Sequence, residues 1–197
     1  MSKFTKICCV LLILILALGA AFGTDYAFDT AEEVTHPQKY ADLITTYSSR
    51  FNIPEYIIYA VIKVESDFDP EAESSVGARG LMQMMPSTFK WLTGSEHLKE
   101  NLSEDKLFNP DVSIRYGCYY LQYLYAKFDH KWDLVFAAYN GGEGNVAKWL
   151  KNPEYADGNG NLKEIPFTET RNYVKKVNSA IKMYKKLYYE NTEGVQA

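Results

Sequence analysis

Glu65 closes an apolar run, Ile57, Ile58, Ala60, Val61, Ile62 and Val64, and opens the segment ESDFDPEAESSVGARGLMQMMPSTF, in which acids, glycines and methionines crowd together. Two chemistries compete for this segment. Several carboxylates close in sequence suggest a bound cation, whereas one carboxylate at the end of an apolar helix suggests proton transfer. Val61 and Ile62, one turn back, desolvate a carboxyl at Glu65, and the negative end of the helix dipole further disfavours its ionised form. Both effects raise its pKa. A glutamic acid that stays protonated near neutral pH is what general-acid cleavage of a glycosidic bond requires. Taken alone, a glutamate at a helix end is more often a solvated terminus than a catalytic acid.

The cation reading fits poorly. Calcium loops need oxygen ligands at regular spacing around a central glycine, and Asp67-Phe-Asp-Pro-Glu-Ala-Glu73 lacks that pattern. Zinc would need histidines, and this stretch has none. Asp67, Asp69, Glu71 and Glu73 therefore read as a solvated loop edge, with one or two of them capping local amides. The glycines at 77 and 80 suit turns or a close approach of the backbone to a ligand. Gln83 stands among Leu81, Met82, Met84 and Met85, so it is either hydrogen-bonded in the core or offered to a ligand. Amides and methionines are both useful against N-acetyl sugars. Two further segments carry a polar signature: Ala138-Tyr-Asn-Gly-Gly-Glu-Gly144, more than a simple glycine cap, and Glu169-Thr-Arg-Asn-Tyr-Val174.

The elements that must position these residues are helical. Tyr40, Leu43, Ile44 and Tyr47 recur at spacings of three and four. A broad apolar stripe predicts a mostly buried helix from about Glu55 to Glu65, with Pro54 in its first turn. A short helix follows over Pro86–Leu92, then a longer one opened by Asn109-Pro-Asp-Val and running to about Phe128, where Gly117 permits close packing. Trp132 to Tyr139 and Gly144 to Leu150 read as two short helices separated by residues 140–144. Residues 152–166 form a loop, and the last helix begins at Thr168 to Thr170, with either threonine as its cap, and continues to about Tyr189. No segment alternates with period two. The fold class is all-α.

The 197 residues are 47% hydrophobic and 23% charged, enough for one sizeable core. A basic start followed by the uncharged stretch Ile7 to Ala21 reads as a signal peptide or a retained membrane anchor, which places the domain outside the cytoplasm. The expected organisation is a leader at 1–23, a linker at 24–37, the catalytic domain at 38–190 and a tail at 191–197. Cys8 and Cys9 are apolar filler within the leader, and Cys118, in Tyr116-Gly-Cys-Tyr-Tyr120, reads as a buried structural thiol. Formal net charge is −4, and loss of Lys3 and Lys6 with the leader would take it to −6, which disfavours nucleic acid as a partner. No oligomeric state is implied.

Together the three segments resemble the soluble lytic transglycosylase family. The resemblance rests on Glu65-Ser66, Ser74, Gly77-Ala78 and Gly80-Leu-Met-Gln-Met-Met-Pro86, on Ala138-Tyr-Asn-Gly-Gly-Glu-Gly144, and on Glu169-Thr-Arg-Asn-Tyr-Val174, and it covers roughly residues 40–185. It implies a goose-lysozyme-like helical fold and a peptidoglycan glycan strand as substrate, cut between N-acetylmuramic acid and N-acetylglucosamine. Glu65 would be the single acid and base. Ser74, Gln83, Met85, Tyr139, Asn140 and Tyr173 would hold the saccharide, with Tyr173 near Glu65. The implied product is a 1,6-anhydro sugar, formed without water and without cofactor or metal. Glu143 departs from the family pattern, standing in a loop where proline is frequent, and is read as having no effect on the reaction. The alternatives are a muramidase, which would need a second carboxylate across the cleft, about 6.5 to 9.5 Å away in an inverting enzyme, and a non-catalytic peptidoglycan-binding module, which Glu65 argues against.

Overall fold

A computed structural model describes residues 32–94 and 98–190. The leader, residues 24–31 of the expected linker and the tail at 191–197 lie outside them. The described residues of the larger unit, Gln38–Lys185, hold seven α-helices, numbered here in chain order. They are α1 (Ala41–Phe51), α2 (Glu55–Ser66), α3 (Pro86–Leu92), α4 (Pro110–Lys127), α5 (Trp132–Gly141), α6 (Glu143–Trp149) and α7 (Thr168–Tyr184), with a 3₁₀ turn at Glu104–Phe108. The described residues contain only isolated β-bridges, such as Glu73 with Arg79 and Arg79 with Met84. Among them no helix is long and apolar enough to cross a membrane. In the smaller unit, residues 32–35 form a helical turn, Lys186 pairs with Glu32 at 2.7 Å, and Tyr188 donates to the His36 carbonyl at 2.9 Å.

The central element is α2. Its residues Ile57, Ile58, Tyr59, Ala60, Val61 and Ile62 are all buried, so the helix is enclosed on every side over nearly two turns. Burial of each large side chain contributes about 1.5–3 kcal/mol, so α2 is the anchor on which α7 packs. Tyr59 stacks on Tyr184 of α7 with centroids 5.3 Å apart. Helix α7 also lies against α5, α4 lies against α1 and α5, and α6 lies against α5. Cys118 is buried in α4, as its sequence context indicated.

Several boundaries differ from those read in the sequence. Pro54 caps α2 from outside its first turn, with ψ at 134°. Helix α5 runs on through Asn140 and Gly141, so only Gly142, at φ 86°, separates it from α6. A positive φ at one glycine turns the chain sharply enough that no longer loop is needed. Neither threonine caps α7. Phe167 occupies the cap position with no side-chain bond, and Thr170 is buried inside the first turn. Helix α7 ends at Tyr184, and Lys185–Tyr189 form a π-helical turn. Asn109 does cap α4, accepting the Val112 N–H at 3.2 Å.

Candidate active site

Glu65 lies in the last turn of α2. The helix ends because the next two residues, Asp67 and Phe68, both take left-handed backbone at φ 52° and 65°, a costly conformation for side chains larger than glycine. Two contacts hold it. The Asp67 N–H donates to the Lys63 carbonyl at 3.2 Å, and Phe68 is buried with its ring 6.4 Å from that of Tyr59. The chain therefore reverses just beyond Glu65 and returns as a loop beside it. Ser66 ties that loop back, donating to the Leu81 carbonyl at 2.8 Å.

The loop at residues 72–85 is built mostly from backbone bonds. Arg79 and Met84 exchange N–H and carbonyl groups at 3.0 and 3.1 Å. Gly80 has φ 73°, and a Cβ there would fall 1.9 Å from the Leu107 carbonyl oxygen, so only glycine fits. A Cβ on Gly117 would lie 2.1 Å from Met82 Sδ, which is the close packing expected at that position. Met82 is further fixed by its N–H donating to Ser113 of α4 at 3.2 Å.

The fold then brings two tyrosines to Glu65. Tyr173, from α7, donates its hydroxyl to Glu65 Oε1 at 2.7 Å. Tyr139, from the last turn of α5, donates to the Met82 carbonyl at 2.8 Å, and the Glu65 carboxylate helps to raise its pKa, so the two are within electrostatic reach. Burial pushes the Glu65 carboxyl up to about 7, while the Tyr173 bond, which favours the anion, pulls in the lower direction. Burial is the larger influence. Both tyrosine hydroxyls are held well above their ordinary pKa, chiefly by burial and then by Glu65, and so remain proton donors.

The remaining residues indicated by the sequence divide by how their polar atoms are used. The Gln83 amide nitrogen donates to the carbonyls of Ala72 and Gly80 at 2.9 and 3.1 Å, so its nitrogen braces the loop and its carbonyl oxygen is the atom left to meet a ligand. Ser74 Oγ accepts the Ala78 N–H at 2.9 Å across a turn. Met85 is exposed at the loop's end. Asn140 is exposed and, with Gly141, borders a concavity of about 490 Å³ closed by residues 166–170, including Glu169. Glu65 and Tyr173 are thus in direct contact, with Tyr139 in electrostatic reach of Glu65, and Ser74 sits in its own turn with Ala78. The acids of the opening segment do not join it. Asp67 pairs with Lys63, Glu73 with Arg79, and Asp69 caps the Glu71 N–H, all on exposed backbone.

Two features escaped the sequence reading. Tyr120 of α4 lies with its ring 5.4 Å from Tyr139, and Trp91 of α3 lies 6.4 Å beyond Tyr120. The spacing of Tyr116, Tyr120 and Tyr123 was available as a signal, but an aromatic helical stripe marks a core as readily as a cleft. Glu143, expected in a loop, is the first residue of α6, and its carboxylate pairs with Lys127 at 2.9 Å.

Residues 42–161 match the Transglycosylase SLT domain family. The chain belongs to it. It is similar to the soluble lytic murein transglycosylase of Escherichia coli K12, 38% identical over 146 residues, covering 74% of this chain and 23% of that protein. It is also similar to the membrane-bound lytic murein transglycosylase C of Edwardsiella ictaluri, 31% identical over 169 residues, covering 76% of this chain and 47% of the relative. The chain therefore spans about a quarter to a half of the length of these relatives. Among solved structures, the 70 kDa soluble lytic transglycosylase of E. coli superposes with a TM-score of 0.73 at 36% identity, over 80% of this chain and 26% of that one. A 70 kDa soluble lytic transglycosylase solved in complex with bulgecin A superposes equally well, with a TM-score of 0.73 at 36% identity, over 80% of this chain and 26% of that one. A lytic transglycosylase from Pseudomonas aeruginosa, solved as an inactive mutant with glutamine in place of a glutamate, gives 0.69 at 34% identity, over 78% of this chain and 25% of that one. The all-α, lysozyme-like fold expected of an SLT domain is the fold observed.

Proposed function

We propose that the protein is a peptidoglycan lytic transglycosylase acting outside the cytoplasm, with Glu65 as its one acid and base. The observation that carries this reading is the half-buried carboxyl of Glu65, raised to about 7 and bonded to Tyr173. Near neutral pH such a group is substantially protonated and can give its proton to a leaving glycosidic oxygen. As that bond breaks, positive charge develops at the anomeric carbon. The Glu65 carboxylate left behind is held by the Tyr173 hydroxyl and accepts the proton of the muramic acid C6 hydroxyl, which attacks C1. The product carries a 1,6-anhydro ring, and no water is consumed.

Three supports are independent of one another. SLT family membership and relatives described as lytic murein transglycosylases support the reaction class. A glutamate-to-glutamine replacement accompanies inactivity in the Pseudomonas relative, the loss expected when a proton donor is removed. The geometry supports one acid rather than two, because burial and Tyr173 are the influences on Glu65 and neither nearby aspartate faces it: Asp67 turns to Lys63 and Asp69 to its own loop. Gln83 through its carbonyl, Met85, Asn140, Ser74 and Tyr139 would bound the saccharide.

Mass spectrometry of products from purified peptidoglycan tests the reading. Transglycosylation leaves anhydro ends, lighter by one water than hydrolytic reducing ends. Reducing ends in their place would make the protein a muramidase, and intact strands would make it a binding module.

A further inference from the structure

One peptide group in the loop at residues 72–85 is gripped from both ends. Its carbonyl, that of Leu81, accepts at 2.8 Å from Ser66, which follows the acid in α2. Its N–H, that of Met82, donates to Ser113 of α4 at 3.2 Å. The next carbonyl along the chain, that of Met82, accepts from Tyr139 at 2.8 Å. We propose that Ser113 is a positioning residue for the reaction, acting through the Leu81–Met82 peptide on Ser66 beside the acid and on Tyr139. This rests on the transglycosylase reading above and adds to it a fully buried residue of α4.

The direction of the hydrogen bonds is the first argument. Ser66 donates to the negative end of the peptide dipole and Ser113 accepts from the positive end, so each bond polarises the peptide in the sense that strengthens the other. Ser66 also has an alternative acceptor, the Ile62 carbonyl one turn back in its own helix, at the longer distance of 3.3 Å. A serine inside a helix readily turns its hydroxyl to that carbonyl. The shorter bond to Leu81 holds the hydroxyl on the loop instead. By drawing on the Met82 N–H, Ser113 makes the Leu81 carbonyl the stronger of the two acceptors.

The packing around Ser113 supplies the second argument. Ser113 and Met82 are both wholly without exposed surface, so an alanine at 113 leaves the Met82 N–H without a partner in a dry setting. Helix α4 meets the loop with a serine and, one turn later, a glycine. A Cβ on Gly117 would strike the Met82 side chain, and a Cβ on Gly80 would come within 3.0 Å of Ser113 Oγ. Gly117 thus admits the Met82 side chain while Ser113 fixes its backbone. A misplacement of about 1 Å at a reacting centre can cost about 10²-fold in rate, whereas a strand bound along many contacts keeps its affinity. The effect of Ser113 therefore belongs in kcat rather than in KM.

The test is a double-mutant cycle on the full chain, with kcat and KM measured on soluble, uncross-linked glycan strands. Ser113→Ala and Ser66→Ala should each lower kcat about tenfold and change KM by less than about twofold. Because both act through one peptide, the double variant should lose about tenfold as well, rather than the roughly hundredfold of independent sites. Ser113→Cys, whose sulfur is a weaker acceptor, should fall between serine and alanine. Ile114→Val, at a buried apolar position next to Ser113, should lose stability and keep its kcat. Thermal unfolding checks that each variant is folded, and if Ser113→Ala does not fold, Ser113→Cys takes its place in the cycle. Losses that multiply, a raised KM at constant kcat, or an equal fall in kcat for Ile114→Val would overturn the positioning role and leave the cleavage reading standing. Failure of the native chain to cleave the strands would overturn both.

Discussion

Glu65 stands between two opposed influences, burial that favours its neutral form and the Tyr173 hydroxyl that favours its anion. Replacing it by glutamine keeps the shape and removes the proton, so Glu65→Gln should lower the rate of strand cleavage by about 10²–10⁴-fold, with an unchanged circular dichroism spectrum. Near-native activity in that variant would exclude Glu65 as the acid. Because the acid must be protonated, kcat/KM should fall as pH rises through about 7, the value to which burial pushes the group. Tyr173→Phe removes the bond that favours ionisation, so the same limb of the pH profile should move to higher pH. A shift to lower pH would mean that Tyr173 stabilises the neutral form instead.

At the scale of elements, the site depends on a loop whose backbone only certain residues allow. Gly77 and Gly80 both have positive φ, 87° and 73°, but their surroundings differ. A Cβ on Gly77 meets nothing within 4 Å, so Gly77→Ala carries only conformational strain, about 1 kcal/mol. A Cβ on Gly80 strikes the Leu107 carbonyl, and the 3₁₀ turn at Glu104–Phe108 would have to move. Gly80→Ala should therefore cost more than about 3 kcal/mol, and denaturant unfolding of the two variants measures the difference. Equal losses would show that the loop relaxes freely. Because the Met82 carbonyl anchors Tyr139, Gly80→Ala should also reduce cleavage in whatever fraction stays folded.

For the molecule as a whole, the raised pKa of Glu65 is also a statement about stability. Between its ordinary value of 4.5 and about 7 the native state binds the proton and the unfolded chain releases it. Stability contributed by this group is therefore complete below pH 4.5 and declines as pH rises to about 7, by up to about 3 kcal/mol. Glu65→Gln escapes the decline, so it should be more stable than the native sequence at pH 8, with the advantage vanishing at pH 4; thermal unfolding at both pH values checks the sign. Cys118 offers a global reporter. Burial pushes its thiol pKa up, and it lies in the core of α4. Iodoacetamide should modify the Cys118 peptide only under conditions that unfold the domain, and labelling in native buffer would show that α4 opens locally.

Much of this was legible in one dimension because helical periodicity, proline placement and a capping asparagine act over three or four residues. The apolar face of α2 marked the helix and its terminal glutamate together, and desolvation by Val61 and Ile62 followed from their spacing along one turn. Boundaries that depended on single dihedral angles were less legible, as at Gly142, where one positive φ replaced an expected loop. What the sequence could not contain is the set of contacts across long separations. Tyr173 meets Glu65 across 108 positions, and Tyr139 meets Met82 across 57. The use of the Gln83 nitrogen within its own loop, and the turning of Glu143 toward Lys127, were likewise decided by packing. Local preference determined the helices and singled out Glu65, while the burial that raises its carboxyl and the Tyr173 hydroxyl that bonds to it exist only once α2 and α7 are packed together.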